Sequence, residues 1–216
     1  MNAALSLREK ETRTRKNALR IAMRAARRQL SQAHVRDASR RACAHLLTMS
    51  EVCSARVVAV YSAIRQEIDP SAAVEALWQR GQTVVFPRVV EGERTLRFHA
   101  VATRAQLAPG TLGIPSPTDA CPEVPLKAIE AVVVPGLAFD AHGRRLGWGG
   151  GFYDATLAAC PGLRIGLAYH TQLVERVPAD ERDLPMDYLV TDAGIRAIAQ
   201  QPSNQTAPGR GAQDTE

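Results

Sequence analysis

Between Val57 and Phe86 the chain spells out a strand, a helix and a second strand in about 30 residues. Val57–Tyr61 (VVAVY) is a continuous, β-branched run of the kind a sheet buries on both faces. Asp69 is then placed to cap a helix with Pro70 in its first turn, Leu77 and Trp78 in its later turns, and Gly81 at its end. Thr83–Phe86 is the next strand, stopped by Pro87. Such a crossover is nearly always right-handed and leaves its helix covering one face of a parallel pair. Further strands are legible at Thr95–Ala102, Glu130–Pro135, Leu163–Tyr169 and Tyr188–Thr191. In the first of these, Arg97 and His99 fall on one face and Leu96 and Phe98 on the other. Strands alternating with helices predict a three-layer α/β/α sandwich with a largely parallel central sheet.

The helices outside that unit carry their own signals. Over residues 8–30, Leu19, Met23, Ala26 and Leu30 form one apolar stripe, and Lys16, Arg20 and Arg24 form a cationic ridge beside it. The ridge reads either as a solvated basic face or as cations that reach a phosphate. Ser31 is a candidate N-cap for a second helix through about Met49, with Cys43, Leu46 and Leu47 toward the core. Residues 109–125 hold five prolines and read as an ordered, semi-rigid loop. Beyond Asp154, ATLAAC continues a short helix that Pro161 and Gly162 end. A single domain is expected over residues 15–200, after a flexible N-terminus at 1–14 and before a tail, rich in Gln, Pro, Gly, Ser and Thr, expected to be disordered over 201–216.

Composition removes several classes of function. No run approaches the roughly 18 apolar residues of a membrane span, and the basic N-terminus lacks the apolar core of a secretory signal. The four cysteines are scattered, with no C-x-x-C pair, so the expectation is reduced thiols and a cytoplasmic protein. A net charge of +5 points to anionic partners without choosing among nucleic acid, nucleotide and metabolite. Residues 8–41 contain no Phe, Tyr or Trp to interleave with their arginines, which argues against an RNA-binding surface.

The chemistry concentrates between Val132 and Asp154, VVVPGLAFDAHGRRLGWGGGFYD. Here a buried strand runs into a polar, glycine-dense loop. Gly147, Gly149, Gly150 and Gly151 leave main-chain N–H groups open to an anion, and Arg144 and Arg145 stand beside them. The spacing fits neither a P-loop nor a dinucleotide fingerprint, and no nucleophile elbow is present. A glycine cluster alone fits a plain turn as well as a phosphate cradle. Combined with Arg145 and Asp154, it supplies a guanidinium, backbone donors and a hard carboxylate for Mg²⁺, which are the parts of phosphoryl transfer. Glu67, in the loop after the first strand, lies where open α/β sheets bind ligands, although a solvated carboxylate is the plainer reading.

The motifs PGLAFD (Pro135–Asp140) and RLGWGGGFYD (Arg145–Asp154) resemble the signature of the 5-formyltetrahydrofolate cyclo-ligases, also called methenyltetrahydrofolate synthetases. Shorter matches follow in the same order: Lys16, Leu19 and Arg20; Glu67–Asp69; Gly113–Pro117; and Asp183, Asp187, Val190 and Thr191. The resemblance implies a Rossmann-like fold without the dinucleotide fingerprint. It also implies ATP- and Mg²⁺-dependent closure of 5-formyltetrahydrofolate to 5,10-methenyltetrahydrofolate, by an enzyme expected to act as a monomer. It places ATP on Lys16, Arg20 and the loop Arg145, Leu146, Gly147, Trp148, Gly149, Gly150, Gly151, Phe152 and Tyr153, with Arg145 catalytic. It places the folate on Ser62, Glu67 and Trp148 to Tyr153, and Mg²⁺ on Asp154 and Asp187. Trp148 departs from the Arg or other long side chain that many members carry, Gly150 from the Lys of some, and Phe152 from a frequent Tyr. A basic nucleotide- or RNA-binding module, and a kinase or ligase with another small substrate, are the alternatives.

Overall fold

The computed structural model describes residues 2–179 and 183–199; the tail over 201–216 lies outside the described residues. In chain order the elements are α1 (Asn2–Arg28), α2 (Gln32–Leu46), α3 (Ser50–Ser54), β1 (Val57–Ala59), α4 (Ser71–Gln79), β2 (Thr83–Val89) and β3 (Leu96–Ala100). There follow β4 (Leu107–Pro109), β5 (Pro115–Pro117), β6 (Glu123–Val124), β7 (Ala131–Val134), β8 (Ala138–Phe139) and β9 (Arg145–Leu146). The chain continues through α5 (Phe152–Leu157), β10 (Leu163–Ala168), β11 (Tyr188–Thr191) and β12 (Gly194–Ala197). Residues 2–14 are the first half of α1, so the segment set apart in the sequence as a flexible N-terminus is helical from Asn2.

One sheet runs in the order β12-β11-β10-β7-β1-β2-β3-β6. Its five central strands are parallel, and β12, β3 and β6 at the edges are antiparallel to their neighbours. The alternation along β7 shows how the layers form. Ala131 and Val133 face a cluster with Ala38, Ala42 and Leu46 of α2 and Val74 and Leu77 of α4. Val132 and Val134 face the opposite cluster, with Phe139 and with Leu157 of α5. Helices therefore cover both faces, as the α/β/α reading requires. Leu46 and Leu77 are fully buried, and cutting either to Ala would remove about 2–5 kcal/mol of stability.

Local signals set the helix ends. The Ser31 hydroxyl accepts from the His34 N–H at 3.2 Å, as an N-cap does. Asp69 acts one residue early, accepting from the Ser71 N–H at 3.0 Å while Pro70 takes the cap position. Gly81, at φ +78°, ends α4 in the left-handed conformation.

Two segments read as loops contain strands. In the proline-rich stretch, β5 pairs with β4 in an antiparallel ribbon, and β6 joins the edge of the main sheet. Prolines are tolerated there because a ribbon or edge strand leaves one side without a ladder to supply. The second is the hairpin of β8 and β9. Its turn is organised by Asp140, fully buried, whose carboxylate accepts the backbone N–H groups of His142, Arg144 and Val177 at 2.9, 3.1 and 3.0 Å. The hairpin presents Leu137 and Leu146 to Leu19 and Met23 of α1, so α1 docks on the hairpin through the predicted stripe. No helix among the described residues is long and apolar enough to cross a membrane.

Candidate active site

The stripe that docks α1 aims its basic ridge at the glycine loop. Lys16 Nζ lies 2.6 Å from the Asp183 carboxylate. Arg20 Nε donates to the Gly147 carbonyl at 3.0 Å, and Arg24 Nη2 to the Trp148 carbonyl at 3.3 Å. One turn further, Arg27 is almost fully buried and lies 3.7 Å from the Glu67 carboxylate. Burial, then repulsion from Arg24, lowers the Arg20 pKa, and Asp183 and Asp154 oppose that shift. Both carboxylates therefore act on one guanidinium. The ridge is a wall of the site, not a solvated face.

Arg145 forms the facing wall. It is 7% exposed, donates from Nη2 to Asp154 at 2.6 Å, and stands 5.5 Å over the Tyr153 ring. Its Nε is buried without a partner among the described residues. A Cβ on Gly147 would lie 2.6 Å from Arg145 Nη1, and Gly149 holds φ +106° beside the Arg20 guanidinium. The second position needs glycine for its conformation, and at the first a side chain would have to displace the Arg145 guanidinium. Among the described residues no protein acceptor takes the N–H groups of Gly147, Trp148, Gly149, Gly150 or Gly151. Such donors, between guanidiniums, suit phosphate oxygens.

The third wall is Glu67, 5% exposed. It follows Arg65 and Gln66, which hold φ +47° and +59° without being glycine. The Tyr169 hydroxyl secures that turn, donating to the carbonyls of Gln66 and Glu67 at 3.0 and 3.3 Å. One Glu67 oxygen accepts from the Ile64 N–H at 3.1 Å, the other from Trp148 Nε1 at 3.0 Å. Burial raises the Glu67 pKa, and the Trp148 hydrogen bond and the Arg27 charge hold part of the shift back. Burial also pushes the Tyr153 phenol above its ordinary value and the Tyr169 hydroxyl up to about 12. Beside Glu67 opens a cavity of about 510 Å³, lined in part by Tyr61, Ser62, Ile64, Phe86 and Pro115. Ser62 Oγ donates to the Pro115 carbonyl at 2.7 Å there.

Many of the expected residues meet in one set of contacts: Lys16 with Asp183, Arg20 with Gly147 and Gly149, and Arg145 with Gly147, Tyr153 and Asp154, while Trp148 reaches Glu67 and Ser62 lies at the cavity. Leu146 and Phe152 belong through their backbone, since their side chains pack into the core. Asp187 is the correction. It precedes β11 at the amino end of the parallel strands and binds Arg164 at 2.9 and 3.0 Å. With Leu157, Ala158, Cys160 and Arg164 it lines a cavity that shares no residue with the one beside Glu67. The carboxylate that reaches the basic wall is Asp183. Arg24 already belongs to the ridge read from the sequence, and Arg27 continues it at i+11 from Lys16; nothing in the sequence singles out Tyr169.

A family model described as the 5-formyltetrahydrofolate cyclo-ligase family matches residues 12–192. The chain is 32% identical to the 5-formyltetrahydrofolate cyclo-ligase of Escherichia coli K12, over 80% of this chain and 98% of that protein. The Haemophilus influenzae cyclo-ligase is 31% identical, over 80% of this chain and 95% of its own length. Among solved structures, 5,10-methenyltetrahydrofolate synthetase of Aquifex aeolicus superposes with a TM-score of 0.77 at 30% identity, covering 92% of this chain and 96% of that one. With this fold, this loop and these relatives, the chain belongs to the 5-formyltetrahydrofolate cyclo-ligase family.

Proposed function

We propose that the protein converts 5-formyltetrahydrofolate and ATP to 5,10-methenyltetrahydrofolate, ADP and phosphate, with Mg²⁺. The observation that carries this reading is the buried Glu67 carboxylate beside an arginine-walled glycine loop. A carboxylate accepts two N–H donors side by side, which suits a pterin ring, and the loop suits a polyphosphate. The cavity next to Glu67 is of the size that holds a small organic ligand.

In this reading the formyl oxygen attacks the γ-phosphorus as the bond to ADP breaks. N10 then attacks the activated carbon and loses its proton, and phosphate leaves as the ring closes. The protein's task is to hold the two substrates in line and to stabilise charge. Arg145, pinned by Asp154 and Pro135, faces the transferring phosphoryl group. Lys16 and Arg20 hold the other phosphates. The donor set fits Mg²⁺, which takes one or two carboxylates and completes its shell with phosphate and water. Asp154 and Asp183 would supply those carboxylates, and the ion would neutralise phosphate charge. All four cysteines are free thiols, which suits a cytoplasmic setting. No observation favours an RNA-binding module, because the basic ridge faces the loop.

The test is purified protein with 5-formyltetrahydrofolate and MgATP, following methenyl product by absorbance against a control without ATP. ATP-dependent product is expected, with kcat falling about 10²-fold or more in R145A. Absent or ATP-independent turnover with intact folate would sink the reading, and a near-normal R145A would remove Arg145 from its role.

A further inference from the structure

Trp148 reaches Glu67. Its indole is a planar, bicyclic ring with an N–H, and that N–H is bonded to the carboxylate assigned to the pterin. Three guanidiniums, of Arg24, Arg27 and Arg65, surround the ring at 4.7, 5.0 and 4.8 Å from its centroid. Each is attracted to the indole face, and together they repel one another.

The backbone under this ring is held by weak partners. Arg20 and Arg24 donate to the neutral carbonyls of Gly147 and Trp148. Buried Arg24 Nε and Arg27 Nη2 have no partner among the described residues. A phosphate is a stronger acceptor for a guanidinium than a carbonyl, because both partners are charged. A nucleotide on this wall would draw Arg20 and Arg24 away from the two carbonyls, and Gly147 and Gly149 give the segment room to turn.

We propose that Trp148 is a positioning residue that occupies the pterin place on Glu67 until nucleotide binding withdraws it, so that ATP binding tightens folate binding. The proposal rests on the function proposed above. The coupling is reciprocal: folate tightens nucleotide binding by the same factor.

The experiment is calorimetric titration with 5-formyltetrahydrofolate, with and without Mg²⁺ and a non-hydrolysable β,γ-imido ATP analogue. In the wild-type protein the analogue should tighten folate binding about tenfold, the scale of one hydrogen bond to a charged group. W148F keeps a ring and loses the N–H; it should bind folate about tenfold tighter without nucleotide, and the analogue should then add no more than about twofold. R24M should lose the coupling, because it removes both the cation over the Trp148 ring and the donor to the Trp148 carbonyl. Weaker folate binding by W148F, or full coupling retained in it, would overturn the proposal. Trp78 and Trp148 are the two tryptophans, so W78F protein reports on Trp148 even if W148F does not fold. Its emission should shift to the red when the analogue alone is added, and unchanged emission with the analogue bound overturns the proposal. Failure of the proposed function looks different, since no variant would then bind folate under either condition.

Discussion

Asp183 and Asp187 stand four residues apart in one acidic motif, yet they serve opposite ends of the sheet. Asp183 meets Lys16 across 167 residues of sequence. Asp187 holds Arg164 through both of its oxygens, and one of them also accepts the Arg164 backbone N–H. D187N should therefore act on stability, lowering it by about 1–3 kcal/mol in denaturant titration, with KM for MgATP unchanged. D183N should raise KM for MgATP several-fold, and it should also cost stability, because its pair with Lys16 is as buried as that of Asp187 with Arg164. The two acids are alike in type and spacing. The strand Tyr188–Thr191 was legible with its bounds, but not which cation each of the two acids before it meets, since Lys16 and Arg164 come from other segments. The partners of Trp148 were hidden for a related reason: Glu67 and Arg27 are brought to it by two other segments.

Among the elements, legibility followed continuity. The parallel strands were readable because burial on both faces demands unbroken runs such as Val132–Val134. The β8–β9 hairpin escaped because two-residue strands leave almost no periodicity, and Asp140 does the work that a turn sequence would do. The glycine loop was readable in composition, and its geometry shows which glycines are required. Gly149, at φ +106° with Arg20 3.4 Å from where a Cβ would lie, cannot become Ala without strain. G149A should weaken binding of the ATP analogue about tenfold by calorimetry, the consequence of a backbone strain of order 1–3 kcal/mol. G81A tests the same conformation at the end of α4, remote from the loop. It should cost stability and leave nucleotide affinity unchanged.

For the whole molecule, the buried Glu67 makes stability depend on pH. Its pKa is raised on folding, chiefly by burial. The folded chain therefore holds that proton more tightly than the unfolded chain, and the contribution present at low pH is lost as pH rises through the folded-state value. E67Q lacks this titration. The melting temperature of E67Q minus that of the wild type should thus become more positive as pH is raised from about 4 to about 8. A difference that is flat, or that falls with pH, would mean that the Trp148 and Arg27 contacts outweigh burial.

The docking of α1 also has a consequence for synthesis. Lys16 and Arg20 leave the ribosome early, but the partners that give them a task, the glycine loop and Asp183, come 127 and 167 residues later. Until then α1 has no hairpin to lie on, and its apolar stripe and arginines are open to other surfaces in the cell. The basic-walled glycine loop is thus assembled by long-range closure, the slowest kind of contact to form. A nascent chain carries the basic half of that arrangement for most of translation before the other half exists.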